Sequence, residues 1–326
     1  MRKNFLLIIL LQFIVSCAPL SQIQDKSELL AYLTQTEEQT LLSRHLPVFI
    51  IEKQNKSYNK IGTPKAELTG KGEERIYVDD QEATIFTEER KFNTAKGTYT
   101  NLVYRIHFPA TPYGLFPFQI GAGKNVGLII IITLNNTKQP VLYTSVHTCG
   151  CYLAFIPTTY LPTSAYPPEW PEKAQVVYKE ILPALLNPKN ENMSNSTLTI
   201  LIRDASHRIK DVWLSEPSML KDFATSPTKI LPLTSLENLP LNGSMQNTSF
   251  YETSGPRNGY VKGSYKLLER LLISWWAFDW KIGEDKKLSA DKNDPPIFFT
   301  SLKPWARNVS DLRDFPEFLT YWGWQL

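Results

Sequence analysis

The chain has little of the chemistry that usually identifies a protein: three cysteines and four histidines in 326 residues. So few cysteines exclude a disulfide framework as the basis of the fold. The 35 basic and 32 acidic residues leave a net charge of only +3. Lysines such as Lys53, Lys56, Lys60, Lys65 and Lys71 are spread along the chain, as on a solvated surface. Without a concentrated basic face no nucleic-acid partner is expected. No Gly-Xaa-Ser-Xaa-Gly, His-Glu-Xaa-Xaa-His or Walker pattern occurs, so those catalytic and nucleotide-binding classes have no motif behind them. The stretch Gly121-Ala122-Gly123-Lys124-Asn125 has the wrong spacing for a phosphate loop and reads as a tight turn. There is no internal repeat. Beyond the first seventeen residues no apolar run reaches the ~20 residues of a spanning helix. The longest, Val126 to Leu134, has the length of a strand.

What is present is ordinary globular composition, 42% hydrophobic and 21% charged, long enough for one large domain. Aromatics are plentiful, with eight Trp, and frequent Pro, at 23, together with Asn favours a loop-rich β or α+β protein over a helical bundle.

The N-terminus carries an address. Met1-Arg2-Lys3 is basic, Phe5 to Val15 is apolar but for Gln12, and Ile14-Val15-Ser16-Cys17 follows. A basic start, a short apolar run and small residues at the cut mark a secretory signal. Ile-Val-Ser-Cys resembles the lipobox of bacterial lipoproteins. The resemblance implies cleavage before Cys17 and lipid on the new N-terminus, leaving residues 1–16 as signal, 17–27 as anchor and tether, and 28–326 as one globular domain. Ala18 after the Cys is similar to the sorting pattern of lipoproteins sent to the outer membrane of Gram-negative cells, on its periplasmic side. The implied partner is the membrane, reached through acyl chains at about 0.8 kcal/mol per buried CH₂.

Patterning along the chain predicts an α+β domain built on a mainly antiparallel sheet with two or three packed helices. Strands are expected at 48–51, 83–93 and 98–108 around a turn at 94–97, then at 126–134, 140–156, 198–202 and 209–214. The run at 126–134 is apolar on both faces and should be central. Helical spacing is read at 27–42, at 171–186 through Ala174, Val177, Ile181 and Leu185, at 265–280, and briefly at 311–322.

The one chemical constellation is His147-Thr148-Cys149-Gly150-Cys151. In an extended strand His147, Cys149 and Cys151 share a face, with Cys149 and Cys151 Cα atoms roughly 6.6 Å apart. Gly150 permits the bend that would bring them closer. Three readings fit: a structural pair, a zinc or copper site, and a thiol–disulfide redox or nucleophilic site. His107 or His207 would supply a further metal ligand. The blander roles are a solvated strand residue for His107 and turn hydrogen bonding for His207. His45, beside Pro47, is assigned no role. No enzymatic activity is assigned. The function expected is a binding or structural envelope lipoprotein, the alternative a metal-binding or thiol-redox protein.

Leu267, Leu268, Leu271, Leu272, Trp275 and Trp276 recur at helical spacing. This predicts a helix packed on the sheet, or else one lying on a membrane interface, where Trp is favoured. Trp322 and Trp324 near the chain end predict that the terminus docks into the fold.

Overall fold

Alternation sorts the apolar run at 126–134 onto two cores. In the computed structural model, which describes residues 26–34, 40–114, 119–188 and 196–326, it lies in the strand Gly123–Leu134. Gly97–Thr111 and Pro140–His147 flank it on either side, both antiparallel. Leu128, Ile130 and Ile132 enter one apolar cluster, and Ile129 and Ile131 another, as a period of two demands.

This strand belongs to a ten-stranded sheet. From one edge its strands are Ile209–Ser215, Thr197–Ile202, Val48–Ile51, Leu30–Leu33, Ala224–Pro232, Ala83–Thr94, Gly97–Thr111, Gly123–Leu134, Pro140–His147 and Ala154–Pro157. Three joins are parallel: Thr197–Ile202 with Val48–Ile51, and Ala224–Pro232 with both Leu30–Leu33 and Ala83–Thr94. The sheet curls. Tyr143, Ala154 and Ile156 near one edge therefore share a core with Leu198, Ile200 and Val212 near the other. The opposite face is covered by the C-terminal part of the chain, through Leu288, Phe298, Leu312, Phe315, Phe318 and Trp324. The aromatic terminus docks there, with Trp324 buried and Gln325 N–H bonded to the Ala165 carbonyl at 2.9 Å. A four-stranded sheet includes Thr63–Leu68 and Glu74–Asp79 and adds a third core with Phe86, Phe250 and Val261.

Strands make up 41% of the described residues and helices 16%, so the expected α+β class with a mainly antiparallel sheet and packed helices is incorrect. The protein is mostly β, and its main sheet is mixed. The predicted helix at 171–186 is a two-stranded hairpin, Ala174–Val177 with Glu180–Pro183. Val176, Val177 and Ile181 are β-branched and suit strands. Tyr178 and Lys179 turn the chain at φ 50° and 73°, the left-handed pair of a tight hairpin turn. Ile181 faces solvent and Leu182 the core, a period of two that the helical reading of Ala174, Val177 and Ile181 missed. The expected helix at 27–42 resolves into a 3₁₀ turn, Lys26–Glu28, the strand Leu30–Leu33 and the first residues of the short helix Leu41–Arg44. Residues 35–39 of that stretch lie outside the described residues. The helix expected at 265–280 exists as Leu267–Ala277, but its apolar face is not packed on the sheet.

Candidate functional site

The segment 147–151 is a tight turn at the end of the strand Pro140–His147, not an extended strand. His147 N–H bonds the Cys151 carbonyl at 2.9 Å, and Gly150 N–H bonds the His147 carbonyl at 2.7 Å. Gly150 sits at φ 91°, where a Cβ would lie 2.1 Å from the Phe299 carbonyl oxygen. Only glycine fits both the backbone conformation and the contact. The turn brings the Cys149 and Cys151 Cα atoms to 5.6 Å, and their sulfurs form a disulfide. Cys149 is buried and Cys151 half-buried.

His147 lies with the pair. One ligand atom from each of the three residues falls within 4.8 Å of the others. The imidazole packs edge-on against Tyr152, 4.7 Å between centroids, and bonds the backbone of His207. Its Nε2 has no hydrogen-bond partner among the described residues. Burial, helped by the Lys266 cation, holds its pKa well below the usual histidine range. The ring is therefore neutral at neutral pH, the form that ligates metals.

The other two candidate histidines part company. His207 is on the same side as His147, stacked on Phe108 at 4.1 Å, with its Nε2 donating to the Tyr58 carbonyl at 2.9 Å. Burial pushes it down to about 4. Its other nitrogen, Nδ1, faces the Thr111 hydroxyl at 3.4 Å, and the close group of ligand atoms is His147, Cys149 and Cys151 without it. His107 is on the opposite face of the sheet. It opposes Gly127 across the ladder, next to Leu128, which opposes His147. It accepts from Arg105 Nε at 2.9 Å and packs against Phe250. The solvated-surface reading of His107 is incorrect, since it is fully buried, and it does not join the cysteines.

Behind the turn is a buried charged cluster that the sequence did not signal. Thr148 donates its hydroxyl to Asp285, which pairs with Lys266 at 3.3 Å. Lys286 donates Nζ to the Cys149 carbonyl at 2.7 Å and to the Glu284 carbonyl at 3.2 Å, over the face of Phe299. Burial pushes Lys286 down to about 8. For Lys266 burial acts downward too, but the Asp285 and Glu269 carboxylates outweigh it and the pKa is raised. Burial raises Glu269. In the sequence, Gly283-Glu284-Asp285-Lys286-Lys287 looks like a solvated charge run. Only the fold shows that three of these charges are inside.

In front of the turn is an apolar cavity of about 270 Å³, lined by Ile120, Cys149, Cys151, Tyr152, Ile273 and Phe299, with Glu269 in its wall. Three larger hollows, of about 430, 670 and 580 Å³, lie near Arg90, near the chain end and beside Thr228, and their linings include neither cysteine nor histidine. The sulfur-lined cavity is thus where shape and reactive groups coincide.

Cys17 lies outside the described residues. Among those described, no helix is long and apolar enough to cross a membrane. The chain matches no protein-family model, no curated protein and no solved structure.

Proposed function

We propose that this is a lipid-anchored envelope protein whose working centre is His147, Cys149 and Cys151, a disulfide when oxidised and a metal-binding thiol pair when reduced. One observation carries the reading. Ligand atoms of the three residues lie within 4.8 Å of one another, and the buried imidazole keeps Nε2 without a hydrogen-bond partner among the described residues. A disulfide that only pins a turn has no use for that nitrogen.

The chemistry balances with a dithiol partner as reductant. A partner thiolate attacks one sulfur, Cys151 being the more exposed. The Cys149–Cys151 bond breaks, two electrons pass to the pair, and the partner's two sulfurs join. Two protons end on the released thiols. Binding an ion then displaces them, and imidazole with two thiolates suits zinc or copper. Three protein ligands would leave a zinc ion one open position. The anchor side of the reading rests on Ile14-Val15-Ser16-Cys17 and Ala18. It would put the centre in an oxidising compartment, on the periplasmic side of the outer membrane, where disulfides persist.

A second reading is a binding or structural lipoprotein in which the pair serves only the fold. The burial of Cys149 and the backbone bonds that close the same turn favour it. Metal analysis after anaerobic reduction separates the two. The proposal expects close to one equivalent of zinc or copper on the reduced protein, none on the oxidised, none in Cys149→Ser and markedly less in His147→Ala. Reduced protein that binds no metal, with His147→Ala unchanged in every respect, leaves the structural reading.

A further inference from the structure

The helix Leu267–Ala277 is inverted. A helix packed on a sheet turns its apolar stripe inward. Here Glu269, Ser274 and Ala277 are the buried positions, while Leu271 is 63% exposed and Trp275 70%. Leu272 and Trp276 are exposed beside them, and the apolar surface continues through Phe278 and Trp280. Arg307 donates to the Ala277 carbonyl and so ties the turn Pro304–Ala306 to the helix end, where Trp305 is 81% exposed. The inward side carries a small apolar contact, Ile273 and Ala277 with Ile282 and Phe299, and the Glu269 carboxylate, which lies against Gly283 where a Cβ would find no room. An apolar patch of this kind on a soluble surface marks a contact site.

The residue types and the path of the chain point to what covers it. Four Trp, at 275, 276, 280 and 305, with leucines and a flanking cation, are the composition favoured at a membrane interface. The cation is Arg270, stacked at 5.3 Å from the Tyr265 ring and 5.6 Å from that of Trp280. That position suits a lipid phosphate. The helix also sits where the chain enters the fold. Leu30 pairs with Ala224, upstream of Thr228, which pairs with Ala83. Ala83 begins a strand whose antiparallel neighbour ends at Thr111, opposite Gly123. Those strand ends lie at one end of the sheet. A Cβ on Gly123 would be 2.8 Å from Lys266 Cγ and 3.3 Å from the Tyr265 carbonyl oxygen, so the start of the helix rests on that same end. Residues 18–26 reach at most roughly 30 Å from Cys17.

We propose that the face carrying Leu271, Leu272, Trp275, Trp276, Trp280 and Trp305 rests in the head-group layer of the bilayer that holds the anchor. The proposal rests on the anchor reading for which bilayer that is. Ile273, on the same helix, lines the sulfur-lined cavity, so docking holds that cavity at the membrane surface.

The test uses the full chain, purified from membranes and reconstituted into phosphatidylethanolamine–phosphatidylglycerol vesicles with brominated acyl chains, which quench nearby Trp. The comparison is a Leu271→Asp/Leu272→Asp variant, which keeps every Trp. Expected are strong quenching in the unaltered protein, a several-fold loss in the variant, and an unchanged melting temperature with both proteins still on the vesicles. Equal quenching in the two overturns the proposal. So does a self-associated protein with unquenched Trp, since a second copy then covers the face. A large fall in the variant's melting temperature also overturns it, because the face would then belong to the core. If the unaltered protein washes off in high salt, the anchor reading fails. Adding the washed protein back to vesicles then decides the face by the same quenching difference.

Discussion

Lys286 Nζ donates to the carbonyl of Cys149 at 2.7 Å, which sets a fully buried amine directly behind the disulfide turn. The lysine's position, more than the cysteines themselves, distinguishes this turn from an incidental crosslink. It ties the turn to the segment 284–286 and places a cationic group at the Cys149 backbone. In the reduced protein a nearby cation favours thiolate.

Replacing Lys286 tests that link. Lys286→Met keeps most of the apolar stem over Phe299 but leaves the Cys149 and Glu284 carbonyls without their donor. Leaving buried acceptors unpaired costs about 1–3 kcal/mol. Removal of a buried charge offsets part of that, so a loss of about 1–2 kcal/mol in urea unfolding is expected. The more specific expectation is a higher Cys149 or Cys151 thiol pKa in the reduced variant, read from the pH dependence of alkylation. An unchanged alkylation profile would separate the lysine from the sulfur chemistry.

Gly150→Ala should be among the most damaging single-methyl changes in the protein. The new Cβ would meet the Phe299 carbonyl oxygen at 2.1 Å with the backbone at φ 91°. Strain of this type costs on the order of 1–3 kcal/mol for the backbone alone. The melting temperature should fall by several degrees, and the disulfide should become easier to reduce. Thermal unfolding of the oxidised protein checks the first, and a dithiothreitol titration the second.

Acid should destabilise the oxidised protein through its buried histidines. Burial holds His207 at about 4 and His107 well below its usual value. The unfolded chain takes up these protons near pH 6.5, before the folded state does. Stability is therefore complete above pH 6.5 and is lost as pH falls toward 4, by on the order of 3 kcal/mol from His207 alone. Urea midpoints between pH 7 and pH 4.5 should fall steadily, and His207→Gln should flatten the slope. A midpoint that rises on acidification would contradict the assignment of neutral, buried rings.

Cys17→Ser should abolish labelling by a radioactive fatty acid and remove the covalent hold on the membrane. The motivation is Ile14-Val15-Ser16-Cys17 directly after the apolar run. Undiminished labelling would place the lipid on a residue other than Cys17.

Parts of the fold were legible in the residues. The Leu102, Tyr104, Ile106 and Phe108 face and the doubly apolar 126–134 run marked the central strands, because alternation records burial directly. The dense aromatic end marked a docked terminus. The 171–186 segment misled because Ala174, Val177, Ile181 and Leu185 fit a helical period, while the hairpin turn at Tyr178-Lys179 contains no glycine or asparagine to announce it. At the site, His147, Cys149 and Cys151 were visible as neighbours in sequence. Lys266, Asp285 and Lys286 were not, since a buried charge and a solvated one are the same letter.

By itself the sequence determined what depends on neighbours along the chain: the strand core at 98–134, the helical content of 267–277, and the chemistry grouped at 147–151. It also carries the apolar segment and cysteine at the N-terminus. Tertiary structure decided everything that depends on what lies across from a residue. It inserted Ala224–Pro232 between Leu30–Leu33 and Ala83–Thr94 as a parallel strand, and put His207 near His147 but His107 on the far face. It also turned Leu271 and Trp275 outward while Glu269 went in. The physical reason is that a periodic pattern shows that a helix has two unlike faces, but which face is covered depends on the elements that pack against it.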